Sequence, residues 1–239
     1  MKYMGSKSRF VKDILPIMLK DRVVGQWYVE PFAGGMNVIC EAGGNRIAND
    51  INPYLIRMWR ALTDGWKPTK ITREEYHEVK QNPSNYPAHY VGWVGFSCSY
   101  SGKFFGGFAG ETRTKIGTVR DYQAEAIRNV ARQVDKMVGV VFQNLPYQEL
   151  EIPTGSIVYC DPPYSGTTGY ADNIDHAAFW NWVIGLSARG NTVFVSEYEA
   201  PAVGFECIWE KEASSSLSAN GISGGNKTST EKLFLCTAR

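Results

Sequence analysis

Apolar positions along the chain follow two rhythms, short unbroken runs and stretches spaced three and four residues apart. WYVEPF (Trp27 to Phe32) is an unbroken run that stops at a proline and leads into AGG, the pattern of a strand, a tight loop and a helix. RIAND (Arg46 to Asp50) is a second strand, ending in an acid. NPYLIRMWRAL follows with helical spacing, Asn52 as its N-cap and Pro53 at its first position. Further on come GVVFQN, SIVYCD, a helix through HAAFWNWVIGL, then NTVFVSE, FECIWEK and EKLFLCTA. No helical pattern separates the last of these strands, so the chain predicts an α/β sheet closed by an antiparallel hairpin.

The stretch between these halves, Trp66 to about Gly139, differs in character. Two helical patterns occur there, one around Arg73 to Lys80 and one over Tyr122 to Val138 with Ile127, Val130, Ala131, Val134 and Met137 on one face. They flank SYSGKFFGGFAGETRTKIGTVR (Ser99 to Arg120), rich in glycine and aromatic residues, with basic Lys103, Arg113, Lys115 and Arg120 against the single acid Glu111. Interleaved basic and aromatic residues suit contact with nucleic acid, and the stretch is read as an insertion with a partner-contacting loop. The expected organisation is a cofactor-binding catalytic domain over 1–65 and 140–239, interrupted by a target-recognition insertion over 66–139.

Composition narrows the class. The 239 residues carry 25 basic and 24 acidic side chains, a net charge of +1, so any contact with nucleic acid rests on local patches. The five cysteines are scattered, with no CxxC and no Cys/His cluster, which fits a reducing compartment and predicts no metal. The start, MKYMGSKSRF, is too polar for a signal peptide, and no run approaches the ~18 apolar residues of a membrane span. A cytoplasmic protein without membrane association is expected.

DPPY (Asp161 to Tyr164) directly follows the apolar run SIVYC. Two prolines remove two backbone donors and hold the preceding Asp extended, so the strand ends there. A bare Asp-Pro pair is a common strand ending, but the full tetrapeptide arises by chance in about one chain in a thousand of this length. In parallel α/β sheets ligands bind beyond the carboxyl ends of the strands, where glycine admits close approach and an acid on the next strand takes ribose hydroxyls. EPFAGG offers the loop and Asp50 the acid. Taken alone, the glycines also fit a plain turn and Asp50 a helix N-terminal charge. Neither GxGxxG nor GxxxxGK[ST] occurs, which favours a nucleoside cofactor without phosphates.

Taken together, these segments resemble the Dam-type DNA adenine N6-methyltransferases. KYMGSK (Lys2 to Lys7) is similar to that family's N-terminal KWAGGK, VEPFAGG to its VEPFxGxG loop, ANDINPYLI to its ADIN segment and CDPPY to its catalytic signature. SYSGKFFGGF resembles its recognition hairpin more loosely, and SSLSANGISGGNKTSTEKLFL its C-terminal segment. The resemblance implies a doubly wound, mostly parallel sheet of the S-adenosylmethionine-dependent type, with a small, mainly helical DNA-recognition insertion. It further implies S-adenosylmethionine as cofactor, no metal, and double-stranded DNA as partner, in a bacterial or phage setting. Carried over, Tyr3, Lys7, Glu30, Phe32, Gly34 and Asp50 would surround the cofactor, with Asp50 on its ribose. Asp161, Pro162, Pro163 and Tyr164 would be catalytic, Asp161 touching cofactor and target amine alike. Tyr100, Lys103, Arg113, Lys115 and Arg120 would contact DNA. The sequence departs from the pattern at Met36, where the family has a glycine, around Phe105 to Phe108, and at Asn144 to Tyr147, which take no assigned role.

The chemistry suits those residues. The lone pair of an exocyclic adenine amine is delocalised into the ring, and acceptors on its N–H groups draw it out toward a methyl donor. Asp161 and a carbonyl fixed by the prolines are such acceptors, and Tyr164 offers a ring on which a flipped base stacks. No covalent nucleophile is required, so Cys160 reads as a buried strand residue. Two other readings stand beside this one: methyl transfer to RNA adenine or a protein glutamine amide, and a DNA-binding regulator that has lost catalysis, with Met36 as the suspect lesion.

Overall fold

The computed structural model describes residues 1–113, 117–164, 174–215 and 227–238. Seven strands form one sheet: β1 (Tyr28–Glu30), β2 (Arg46–Asn49), β5 (Val140–Gln143), β6 (Ile157–Cys160), β7 (Thr192–Ser196), β8 (Phe205–Ser215) and β9 (Lys227–Cys236), in the order β5-β2-β1-β6-β7-β9-β8. β5, β2, β1, β6 and β7 run parallel, and β9 joins antiparallel to both β7 and β8. The expected mostly parallel sheet with a terminal antiparallel hairpin is therefore present. β1 is shorter than the predicted run, because Pro31 has no N–H to continue the ladder.

Strand alternation distributes the core to both faces of the sheet. Tyr28, Ala48, Ile157, Tyr159 and Phe194 lie in one apolar cluster with α1 (Val11–Met18), α2 (Ile39–Ala42) and α3 (Pro53–Thr63). Val29, Ile47, Val158, Cys160, Val193 and Val195 lie in another, under α7 (His176–Ala188). Helices thus cover both faces, as a sheet of unbroken apolar strands requires. Asn52 caps α3 by accepting from Leu55 N at 3.1 Å, and Asp175 caps α7 by accepting from Ala178 N at 3.1 Å, which puts His176 in the first turn. α1 has no counterpart in the sequence reading. Phe10, Val11, Ile14, Leu15 and Met18 are spaced for a helix, but Pro16 inside so short a segment obscures it.

Residues 66–139 supply α4 (Arg73–Gln81), α5 (Ala88–Gly92) running on into a π-helical turn over Trp93–Ser97, the hairpin β3 (Glu111–Arg113) with β4 (Val119–Asp121), and α6 (Tyr122–Val134). Tyr76, Val79, Val91, Trp93, Val130 and Met137 join the same cluster as Tyr28 and Tyr159, so this segment and the sheet share one core. On α6 the buried side chains are Gln123, Val130 and Gln133, whereas Ala131, expected on the inner face, is exposed. Gln123 is buried because it pairs with the Ile71 backbone at both ends, accepting from Ile71 N at 2.8 Å and donating to Ile71 O at 3.0 Å.

Candidate active site

Strand order sets the position of the site. From β1 the chain steps outward through β2 to β5 on one side, then returns to place β6 and β7 on the other. The loops after β1 and β6 therefore leave the sheet in opposite directions and open a crevice between them. A cavity of about 1060 Å³ lies there. Every residue that the sequence assigned to cofactor or catalysis lines it: Tyr3, Lys7, Glu30, Phe32, Gly34, Asp50 and Asp161 to Tyr164. The volume is at the upper end of small-molecule sites, enough for a nucleoside cofactor and a base together.

The glycine loop is built around Asp50. Asp50 Oδ2 accepts from Gly34 N at 2.9 Å and Oδ1 from Asn52 N at 2.9 Å, so the carboxylate ties the β1 loop to the start of α3. Gly34 is in the left-handed region (φ 49°), and a Cβ there would meet the Tyr3 ring at 2.7 Å. The N-terminal segment thus roofs the loop with an aromatic ring where a side chain would have stood. Met36 also adopts a left-handed conformation (φ 57°), but its side chain is fully buried in the core and does not line the cavity. Its N–H closes a turn onto Ala33 O at 2.8 Å, so the loop is formed without glycine at that place. Asn144, left without a role by the sequence, donates to the Asp50 and Ile51 carbonyls at 2.8 and 3.0 Å and braces the same corner, while Leu145 to Tyr147 line the cavity.

DPPY sits in a charged cluster of low exposure. Lys7, only 7% exposed, reaches Asp161 Oδ1 at 2.9 Å and Glu231 Oε2 at 3.6 Å. Its ammonium lies 4.4 Å from the centre of the Tyr164 ring, and the Tyr164 hydroxyl donates to Glu231 Oε2 at 3.0 Å. Tyr198, at the end of β7, packs against Tyr164 nearly perpendicular, with centroids 4.6 Å apart. Burial pushes the Asp161 carboxyl above the usual carboxylate range, and Lys7 pulls it back down. Glu30 is buried beside it and accepts from Tyr28 OH at 2.9 Å, and burial drives its carboxyl far upward. Cys160 lies on the opposite face of the sheet, in the cluster under α7, with its thiol pushed up by burial, and takes no part. Trp180 packs on Phe205 and Trp182 on Tyr147, both as structural contacts.

The residues assigned to DNA contact are not gathered in this way. Lys103 lines the cavity, Tyr100 is exposed against Tyr122, and Arg113 is exposed on β3. Arg120 on β4 is bound bidentately by Glu125, at 2.7 and 3.0 Å, and lies over Tyr122. Lys115 falls outside the described residues, as do residues 216–226 of the C-terminal polar segment. Phe104, Phe105 and Phe108, expected among the contacting aromatics, are partly buried against the core, with Phe104 also at the cavity wall. Phe104 packs on Phe96 and Tyr54, and Phe105 and Phe108 pack on Tyr76. Burying such large apolar rings outweighs displaying them.

Glu231 and Tyr198 were missed by sequence reasoning. Tyr198 follows a strand end, where the rule that located Asp50 and Asp161 also applies. Glu231 opens the apolar run EKLFL in the segment that resembles the family's C-terminal motif, yet nothing local distinguishes it from an exposed strand residue. Among the described residues no group of three or more His, Cys, Asp or Glu side chains is arranged to hold a metal, and no helix is long and apolar enough to cross a membrane.

The family model of the D12 class N6 adenine-specific DNA methyltransferases matches residues 3–177, most of the chain and all of DPPY. The chain belongs to that family. Among curated proteins it is similar to the type II methyltransferase M.FokI of Planomicrobium okeanokoites, 25% identical over 210 residues, covering 75% of this chain and 31% of that protein. It is also similar to the modification methylase StsI of Streptococcus sanguinis, 25% identical over 202 residues, covering 75% and 30%. The chain thus spans less than a third of the length of these two relatives. Among solved structures, SMU.472 complexed with SAH aligns over 100% of this chain and 54% of that chain, with 11% identity and a TM-score of 0.41.

Proposed function

We propose that the chain methylates the exocyclic N6 of adenine in double-stranded DNA, using S-adenosylmethionine, on a base turned out of the duplex into the crevice. The observation that carries this reading is that the Asp161 carboxylate, ion-paired to Lys7, opens into the same cavity as the Gly34 loop and Asp50. The cavity fits the cofactor chemically. Asp50, an acceptor-only carboxylate at a strand end, lines the cavity beside the Gly34 loop that it holds, as a ribose-binding acid would, and that loop brings backbone rather than side chains of its own to the cavity at Gly34 and Gly35. When bound, the cofactor supplies an electrophilic methyl group on a sulfonium.

The protein's part is orientation and electrostatics. Lys7 fixes Asp161 through Oδ1, which leaves Oδ2 to accept an N–H of the adenine amine. A second acceptor is the backbone of the Asp161 to Pro163 turn, whose prolines restrict its motion. With its N–H groups held, the nitrogen pyramidalises and its lone pair points along the line of transfer. Positive charge then grows on nitrogen, and the carboxylate stabilises that charge more than it stabilises the neutral amine. The excess proton on the methylated nitrogen is taken by Asp161 Oδ2 before product leaves. Tyr164 and Tyr198 offer rings against which the extruded base packs, worth about 1–3 kcal/mol per stacked base. The segment 66–139 is the target-recognition part, with Lys103, Tyr100, Arg113 and the hairpin β3–β4 facing the duplex. Because the relatives are by name a type II methyltransferase and a modification methylase, a modification role on intracellular DNA is the setting proposed.

Tritium transfer from labelled S-adenosylmethionine to duplex DNA, single-stranded RNA and protein, followed by nucleoside mass spectrometry, tests this. N6-methyladenine in duplex DNA is expected. Label confined to RNA or to glutamine, or none in the parent protein, would overturn it.

A further inference from the structure

We infer that Glu231 is a positioning residue of the methyl-acceptor site, holding the Tyr164 ring through its hydroxyl and sharing the Lys7 ammonium with Asp161. This rests on the reading of DPPY as the acceptor site, and deepens it by assigning work to the terminal hairpin. β9 is antiparallel to β7 with Ser196 opposite Leu233 where the ladder ends, and Glu231 lies two residues beyond on β9, lining the same cavity as Tyr198. Strand alternation puts Glu231 on the same face as Leu233, which is fully buried in the core shared with Tyr159. A carboxylate on a core-facing position is costly unless paired. Its side chain is 13% exposed, and its partners are the two groups that flank the acceptor, Tyr164 OH at 3.0 Å and Lys7 Nζ at 3.6 Å.

Two consequences follow from that geometry. A tyrosine held only by its own backbone can swing about χ1, whereas one held also at its hydroxyl presents its ring in one orientation. The ammonium is divided between two carboxylates, so Glu231 draws on the same cation that holds Asp161. Without Glu231 the ammonium is no longer divided between two carboxylates. The groups facing Asp161 are Lys7 from the N-terminal segment, Glu231 from β9, Glu30 from β1, and Tyr159 and Tyr164 from β6 and its loop, while Cys160 points to the other face of the sheet. Of the other carboxylates, Glu231 is the one that shares the Lys7 ammonium with Asp161, and its presence raises the Asp161 carboxyl.

The test compares Glu231→Ala, Glu231→Gln, Tyr164→Phe and the double variant Glu231→Ala with Tyr164→Phe, in methyl transfer against pH and in calorimetric binding of S-adenosylmethionine. Glu231→Ala is expected to lower kcat by about ten- to a hundredfold, as misplacement near a reacting group does, with cofactor affinity within about twofold of the parent. Tyr164→Phe should account for part of that loss, and the double variant should be no worse than Glu231→Ala, because the two residues act through one hydrogen bond. In Glu231→Ala and Glu231→Gln the acid limb of the profile should move to lower pH, since a nearby anion has been removed from Asp161; in Tyr164→Phe it should stay. Glu231→Gln keeps an acceptor for the Tyr164 hydroxyl and should recover part of kcat, which also serves if the alanine variant does not fold. Strictly multiplicative losses in the double variant, or an unmoved limb in Glu231→Gln, would overturn the assignment. An inactive parent protein would instead fail the functional reading, and is distinguished by its own assay.

Discussion

Two ion clusters of similar composition occupy opposite conditions in this molecule. At the switch point of the sheet, Lys7 stands between Asp161 and Glu231 with all three side chains at most 20% exposed. Beside the β3–β4 hairpin, Glu125 is shared by Arg120 and Lys2, and Lys70 bridges Glu111 and Asp121, with every cation 45% exposed or more. Water and salt screen the second group, so its pairs rearrange at little cost and its cations can be given up to another anion. The first group is screened poorly, so losing one member leaves the others uncompensated. A cluster of the first kind suits fixing a reactive carboxylate. One of the second kind suits a surface that trades internal carboxylates for phosphates.

The contrast is broken most severely by removing its reactive member. Asp161→Ala should lower kcat by at least about a hundredfold, some 2.7 kcal/mol, while a filter-binding assay still shows DNA retained. Activity above about a tenth of the parent would remove Asp161 from the mechanism. Next in size, Asp50→Ala should weaken S-adenosylmethionine by about ten- to a hundredfold in calorimetry, since it loses charge-assisted hydrogen bonds and loosens the Gly34 loop. Unchanged affinity would mean that the ribose lies elsewhere.

Lys7→Met sharpens the comparison through pH. Burial already raises the Asp161 carboxyl, and Lys7 opposes that rise, so removing the ammonium lets it rise further. Activity requires the ionised carboxylate, so the acid limb of kcat should move to higher pH. Stability moves the other way: the fold then holds that proton more tightly than the unfolded chain, whose Asp titrates near about 3.9, so stability declines as pH rises from there through the raised folded value. A pH-rate profile and Tm against pH report both.

At the exposed cluster the effects should be small and of opposite sign. Arg120 and Lys2 hold the Glu125 carboxyl down at about 2, so the pair is formed throughout the working pH range and is lost only as pH falls through the carboxylate range toward that value. Glu125→Gln should leave Tm within about 2 °C, yet free both cations for phosphate. Binding to duplex DNA at low salt should then tighten by a few-fold, with the slope of log K against log salt steeper by about one. A shallower slope would place this face away from the duplex.

Much of the architecture is written locally. Unbroken apolar runs specify strands buried on both faces, Asn52 with Pro53 and Asp175 specify two helix starts, and prolines at 31, 162 and 163 specify where two strands stop. Family motifs at Tyr3 to Lys7, Glu30 to Gly34, Asp50 and Asp161 to Tyr164 named the residues that line one cavity, since chemistry of this kind is carried by short segments at strand ends. What those segments face was decided elsewhere. Only the strand order brings the β1 loop beside β6, and only the antiparallel return of β9 carries Glu231 to a tyrosine 67 positions earlier. The same holds for the insertion: Phe104, Phe105 and Phe108 are aromatic in the sequence, but Tyr76, Phe96 and Tyr54 hold them partly buried against the core. Local sequence sets backbone conformation and residue chemistry through interactions a few residues long, whereas burial and ion pairing depend on which distant segments share a low-dielectric space, and that is a property of the folded chain alone.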